Sequence, residues 1–84
     1  MRKSKNKSLR TATHRRLTKE LRRARNEAKL TQVQLAEILG WPQSDVSKVE
    51  NGERRLDVVE YLEWADAIGF DASSLISQIK KKTA

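Results

Sequence analysis

The segment from Thr31 to Gly52 spells out two helices of about two turns each with only about three residues to join them, and few folds accommodate that. Thr31 is a hydroxyl N-cap, and Gln34 three residues later completes a capping box ahead of an apolar face of Leu35, Ala36 and Leu39. The pattern predicts a helix from about Gln32 to Leu39. Gly40 then supplies a residue that takes positive φ without a Cβ penalty, and Pro42 suits the fixed φ of a first helical turn. The next helix starts at Pro42 or Gln43, turns Val46 and Val49 inward, and stops at Asn51-Gly52. Two helices crossing through so short a turn approach closely, which suits the small residues Ala36 and Gly40.

The flanking sequence adds three more helical patterns. Leu17, Leu21, Ala24 and Ala28 recur at spacings of four, three and four, the one-face stripe of an amphipathic helix beginning at about His14. Asp57 with Glu60 repeats the capping-box spacing and opens a fourth helix, read as facing inward through Val58, Tyr61, Trp64, Ala65 and Ile68 and ended by Gly69. Asp71 or Ser73 caps a fifth, which carries Leu75, Ile76 and Ile79. No segment alternates with a period of two, so an all-α fold of five helices is expected. The expected layout is a flexible basic arm over 1–13, one helical domain over 14–79 and a basic tail over 80–84. The three aliphatics of the last helix either fold back on the core or meet a second copy of the chain, and the reading adopted is a homodimer. Tyr61 and Trp64 are assigned to the core, whereas Trp41, in the turn, is either buried or a partly exposed lid.

Eighty-four residues hold one domain at most. Without cysteine there is no disulfide framework and no thiolate for a zinc site. The lone histidine, His14, has no nearby carboxylate or thiol and is expected in solvent, so neither a catalytic triad nor a metal site is expected, and no cofactor. No apolar run approaches the ~18 residues of a membrane span, and the basic N-terminus is not followed by the apolar core of a secretory signal. A soluble, cytoplasmic, non-enzymatic protein is the expectation.

Charge is distributed unevenly. Residues 1–29 hold twelve Lys/Arg against Glu20 and Glu27, a balance of +10, while residues 30–84 hold six against nine acidic groups, a balance of −3. Such asymmetry fits a polyanionic partner, because each neutralised phosphate releases condensed counterions. Charge alone leaves DNA, RNA and anionic lipid open, and the first thirteen residues could equally be a solubilising terminus without specific contacts. More specific is the second of the paired helices. Between its inward valines it presents Gln43, Ser44, Ser47 and Lys48, side chains that hydrogen-bond base edges or phosphates and that otherwise form an ordinary solvated face.

The run TQVQLAEILGWPQSDVSKVENGERRLDVVEYLEWADAIG resembles the helix-turn-helix of the lambda repressor and Cro family, also called the XRE type. Its marks are Thr31-Gln32, Leu35-Ala36, Gly40, the Ser-Asp-Val-Ser-Lys-Val segment and Glu50-Asn51-Gly52, and the likeness extends from about Arg16 to Ile79. It implies a five-helix, lambda-repressor-like DNA-binding domain, a transcriptional regulator of bacterial or phage type. Under it Gln43, Ser44, Ser47 and Lys48 face bases in the major groove of double-stranded DNA. Gln32 would meet a phosphate at the start of its helix, with Asn51, Arg54 and Arg55 along the backbone. Arg25 and Glu50 would form a structural ion pair. Pro42 departs from the family in standing where many relatives have Ser or Thr, which removes the side-chain cap from the recognition helix. Asp45 is the other departure, favourable at a helix N-terminus and repelled by phosphate if it points outward. The expected function is a sequence-specific repressor; an antitoxin-type interaction module with a toxin partner, which also binds its own operator, is the alternative.

Overall fold

The computed structural model describes residues 11–83, with side chains as far as Lys81. Among the described residues there are five helices and no strands: α1 Ala12–Glu27, α2 Gln32–Leu39, α3 Gln43–Glu50, α4 Val58–Ile68 and α5 Ala72–Thr83. α2 packs on α3 and α4, while α1 packs on α3 and α5. Trp64, Leu21, Leu35, Val46 and Val49 are fully buried at the centre. Trp41 and Trp64 meet edge to face with ring centroids 5.8 Å apart, so Trp41, half-buried, seats the α2–α3 turn on the core. Tyr61 donates its hydroxyl to the carbonyl of Ala72 at 2.7 Å and ties α4 to the start of α5.

Local signals decide where most helices begin and end. Thr31 Oγ1 accepts from the Gln34 backbone at 3.0 Å and Gln34 Oε1 accepts from the Thr31 backbone at 2.9 Å. The Asp57–Glu60 box closes in the same reciprocal way at 2.7 and 3.0 Å. Gly40 ends α2 at φ +73°, and a Cβ there would meet nothing within 4 Å, so glycine answers a conformational demand and not a steric one. Asp71, not Ser73, caps α5 by accepting from the Ser74 backbone at 2.8 Å.

Four expectations need correction. α1 starts at Ala12, where Thr11 accepts from the His14 backbone at 3.0 Å, so residues 11–13 belong to the domain and not to an arm; the rest of that arm lies outside the described residues. His14 falls on the buried face of α1 with Thr18, Leu21 and Arg25, at spacings of four, three and four, and is only 6% exposed. Three of those four residues are polar, which hid the face from an apolar pattern. Lys80 and Lys81 continue α5 instead of forming a separate tail. Val58 is 75% exposed, since at about 100° per residue it lies at the margin of the arc set by Tyr61, Trp64, Ala65 and Ile68.

α5 also folds back on its own chain. Leu75 and Ile79 are buried, and only Ile76 of the three aliphatics faces out, at 40% exposure. The apolar argument for dimerisation through this helix therefore loses its basis. Ile79→Ala should cost about 2–5 kcal/mol in urea unfolding. Ile76→Ala should cost under about 1 kcal/mol by the same measurement, as expected of a largely exposed side chain.

Candidate nucleic-acid interface

α3 is eight residues long, and its orientation follows from what it buries. Val46 and Val49, 0% and 1% exposed, anchor it to the core. Gln43, Ser44 and Lys48 are exposed and Ser47 is half-buried, so the four stand together on the side of the helix away from the valines. Pro42 opens the helix at φ −63° with no side-chain cap hydrogen bond, as its identity requires. Asp45 is half-buried; the hydrogen bond to Glu60 holds Arg54 above its ordinary value, and the charges of Glu60, Asp45 and Asp57 add to it.

The far end of α3 is held by a buried carboxylate. The Glu50 side chain is 0% exposed, and Arg25 of α1 grips it in a fork, Nε to Oε2 at 2.6 Å and Nη2 to Oε1 at 2.9 Å. Arg25 Nη1 also donates to the carbonyl of Leu30 at 2.8 Å. Arg22 supplies a second cation, its Nε 3.6 Å from Glu50 Oε1, and its Nη2 donates to the Glu50 carbonyl at 3.0 Å and to Asn51 Oδ1 at 3.4 Å. A cation on the last carbonyls of a helix is favoured by the helix dipole. Burial pushes the Glu50 carboxyl up; hydrogen bonds from Arg25 and Gln32 and the charges of Arg25 and Arg22 outweigh it, leaving the group below its ordinary value.

Gln32, expected at a phosphate, has its side chain engaged inside the protein. Its Nε2 donates to Glu50 Oε1 at 3.0 Å while its Oε1 accepts from Gln43 Nε2 at 2.9 Å. An unbroken relay thus runs from Arg25 through Glu50 and Gln32 to Gln43, joining three helices. Asn51 is exposed at the end of α3, where its Nδ2 donates to Ser47 Oγ at 3.5 Å.

The two loop arginines are placed differently. Arg54 makes a two-bond pair with Glu60, at 3.2 and 3.0 Å, and lies 4.6 Å over the ring of Trp41. The hydrogen bond from Arg54, together with the Asp57 backbone, lowers the Glu60 pKa. Arg55 is exposed and lines a groove with His14, Leu17, Ile76 and Ile79, to which none of Gln43, Ser44, Ser47 and Lys48 contributes. Sequence patterns gave no sign of Arg22 or of the Arg54–Glu60 pair.

Two short helices crossing through a three-residue turn, with a polar face held outward on the second, define a helix-turn-helix domain. Residues 16–75 match the helix-turn-helix domain family, and the chain belongs to it. It is an XRE-type member, hence a DNA-binding regulator: an XRE-family like protein from Pseudomonas syringae pv. tomato str. DC3000 is 43% identical and superposes with a TM-score of 0.84, over 94% of this chain and 96% of that one. No curated protein matches the chain.

The depressed Glu50 pKa sets an acid limit. A carboxylate that titrates lower when folded contributes stability present in full above its ordinary value and lost as pH falls through the folded one. Stability should therefore decline as pH drops below about 4.5, and less steeply in Glu50→Gln. At neutral pH, Arg25→Ala or Glu50→Ala alone should cost about 3–5 kcal/mol in urea unfolding, and apolar replacement of both should cost less.

Proposed function

We propose that the chain is a sequence-specific transcriptional repressor of the cytoplasm that binds double-stranded DNA as a homodimer, with α3 in the major groove. The observation that carries this reading is the set Gln43, Ser44, Ser47 and Lys48, held outward over Val46 and Val49, with Gln43 already oriented by Gln32. A glutamine amide pairs with the N6 and N7 edge of adenine, a lysine donates to the O6 and N7 acceptors of guanine, and hydroxyls serve either role. Asn51 and the N-terminal amides of α2, beginning at Gln32, lie along the adjoining phosphates. Arg55 and the five basic residues of 1–10 add attraction that is indifferent to sequence.

Dimerisation follows from the DNA and not from α5. A single module of this size covers limited DNA surface, whereas two copies related by a two-fold axis occupy half-sites about one helical turn apart. The function is binding, without a catalytic step.

Selection of random duplexes by the purified protein should enrich a palindrome with half-sites about ten base pairs apart. On that site Gln43→Ala and Lys48→Ala should each cost about 1–3 kcal/mol and relax preference at one position, whereas removing residues 1–10 should weaken all duplexes alike. The antitoxin-type reading, which also binds its own operator, is separated by co-purification: a stoichiometric protein partner accompanies the chain under that reading and not under this one. A selection that enriches nothing contradicts it.

A further inference from the structure

Arg54 occupies a loop where a phosphate-binding arginine is expected, yet its guanidinium is spoken for on its edge and on its face. The edge meets both Glu60 oxygens, at 3.2 and 3.0 Å. The face covers the Trp41 ring at 4.6 Å, and that ring's other neighbour is the fully buried Trp64. The Arg54 backbone donates to the carbonyl of Lys48 at 3.2 Å, so the same residue is tied to α3. Glu60 is fixed in turn, because its carboxylate also accepts from the Asp57 backbone in the α4 capping box. Arg54 therefore joins the α2–α3 turn, the end of α3 and the first turn of α4.

The start of α3 has need of such a tie. Pro42 provides no side-chain cap, so the direction in which Gln43 and Ser44 leave the turn depends on how firmly Trp41 is seated. A guanidinium stacked on an indole and forked to a carboxylate is a geometric lock that a flexible ammonium cannot reproduce. We infer that Arg54 is a positioning residue: it clamps Trp41 against Trp64 and thereby sets the aim of α3, and it does not bind phosphate. The inference rests on the reading of α3 as the DNA-contacting helix.

Two conservative variants separate a clamp from a phosphate ligand. Arg54→Lys keeps the charge and loses the fork. Glu60→Gln keeps an acceptor for the Asp57 backbone, since glutamine also serves in a capping box, and loses the charge that holds Arg54. With a clamp, each variant weakens binding to the selected site by roughly fivefold to thirtyfold. The slope of log affinity against log salt stays at the wild-type value, and binding to random duplex is little changed. In the absence of DNA, both variants also shift the near-ultraviolet circular dichroism of the tryptophans while retaining a cooperative thermal transition.

The clamp is overturned if Glu60→Gln tightens binding, as freeing a phosphate ligand would. It is also overturned if Arg54→Lys is harmless and Arg54→Ala lowers the salt slope by about one. An unchanged tryptophan signature in Arg54→Lys contradicts it without any DNA. If the wild type selects no duplex, the proposed function fails, and that spectral comparison still tests the clamp on its own.

Discussion

Glu50 brings a full negative charge into the interior, and the arrangement of the first three helices answers that fact. A buried carboxylate costs several kcal/mol unless its lone pairs and its charge are both met. Here the fork of Arg25, the amide of Gln32 and the nearby Arg22 meet them, and they come from α1 and α2 while the carboxylate comes from α3. The geometry that satisfies Glu50 requires α1, α2 and α3 to meet as they do here. The network thus selects a register for α3, beyond whatever stability it contributes.

That selection matters because the valines that anchor α3 to the core do not by themselves fix its two ends. Eight residues are too few for a stable helix in isolation, and its outer face is polar. Its last turn is fixed by Glu50 and by the Arg22 hydrogen bond to the Glu50 carbonyl. Its first turn is fixed by the Gln32–Gln43 hydrogen bond and by the seated Trp41. A surface already ordered before it meets DNA avoids the side-chain ordering cost of association, so more of the contact energy appears as affinity. In this sense packing and recognition are the same property seen from opposite sides of one helix.

The parts of this design that sequence reading recovered are those written over short distances. Thr31 with Gln34, Asp57 with Glu60, and Gly40 and Gly69 after their helices each express a hydrogen bond or a backbone conformation within a few residues, and each is found as expected. The parts it missed are set by approach between distant segments. His14 looked like a solvated group in a basic leader because the face it shares with Thr18 and Arg25 is polar in composition. Arg54 looked like free charge because Trp41 and Glu60 lie thirteen residues before it and six after it, on different elements. The Gln32 side chain bridges Glu50 and Gln43, eighteen and eleven residues away, a pairing that the phosphate contact implied by the family resemblance does not reveal. Pairings of this kind leave no periodic trace in a chain.

The central claim is that the Gln43–Lys48 face enters the major groove. Dimethyl sulfate tests it in one experiment, because the reagent marks guanine at N7 in the major groove and adenine at N3 in the minor groove. On the selected site, pre-methylation at guanine N7 within each half-site should block binding, and methylation at adenine N3 there should be tolerated. Interference confined to adenine N3, or absent from both, would contradict the account.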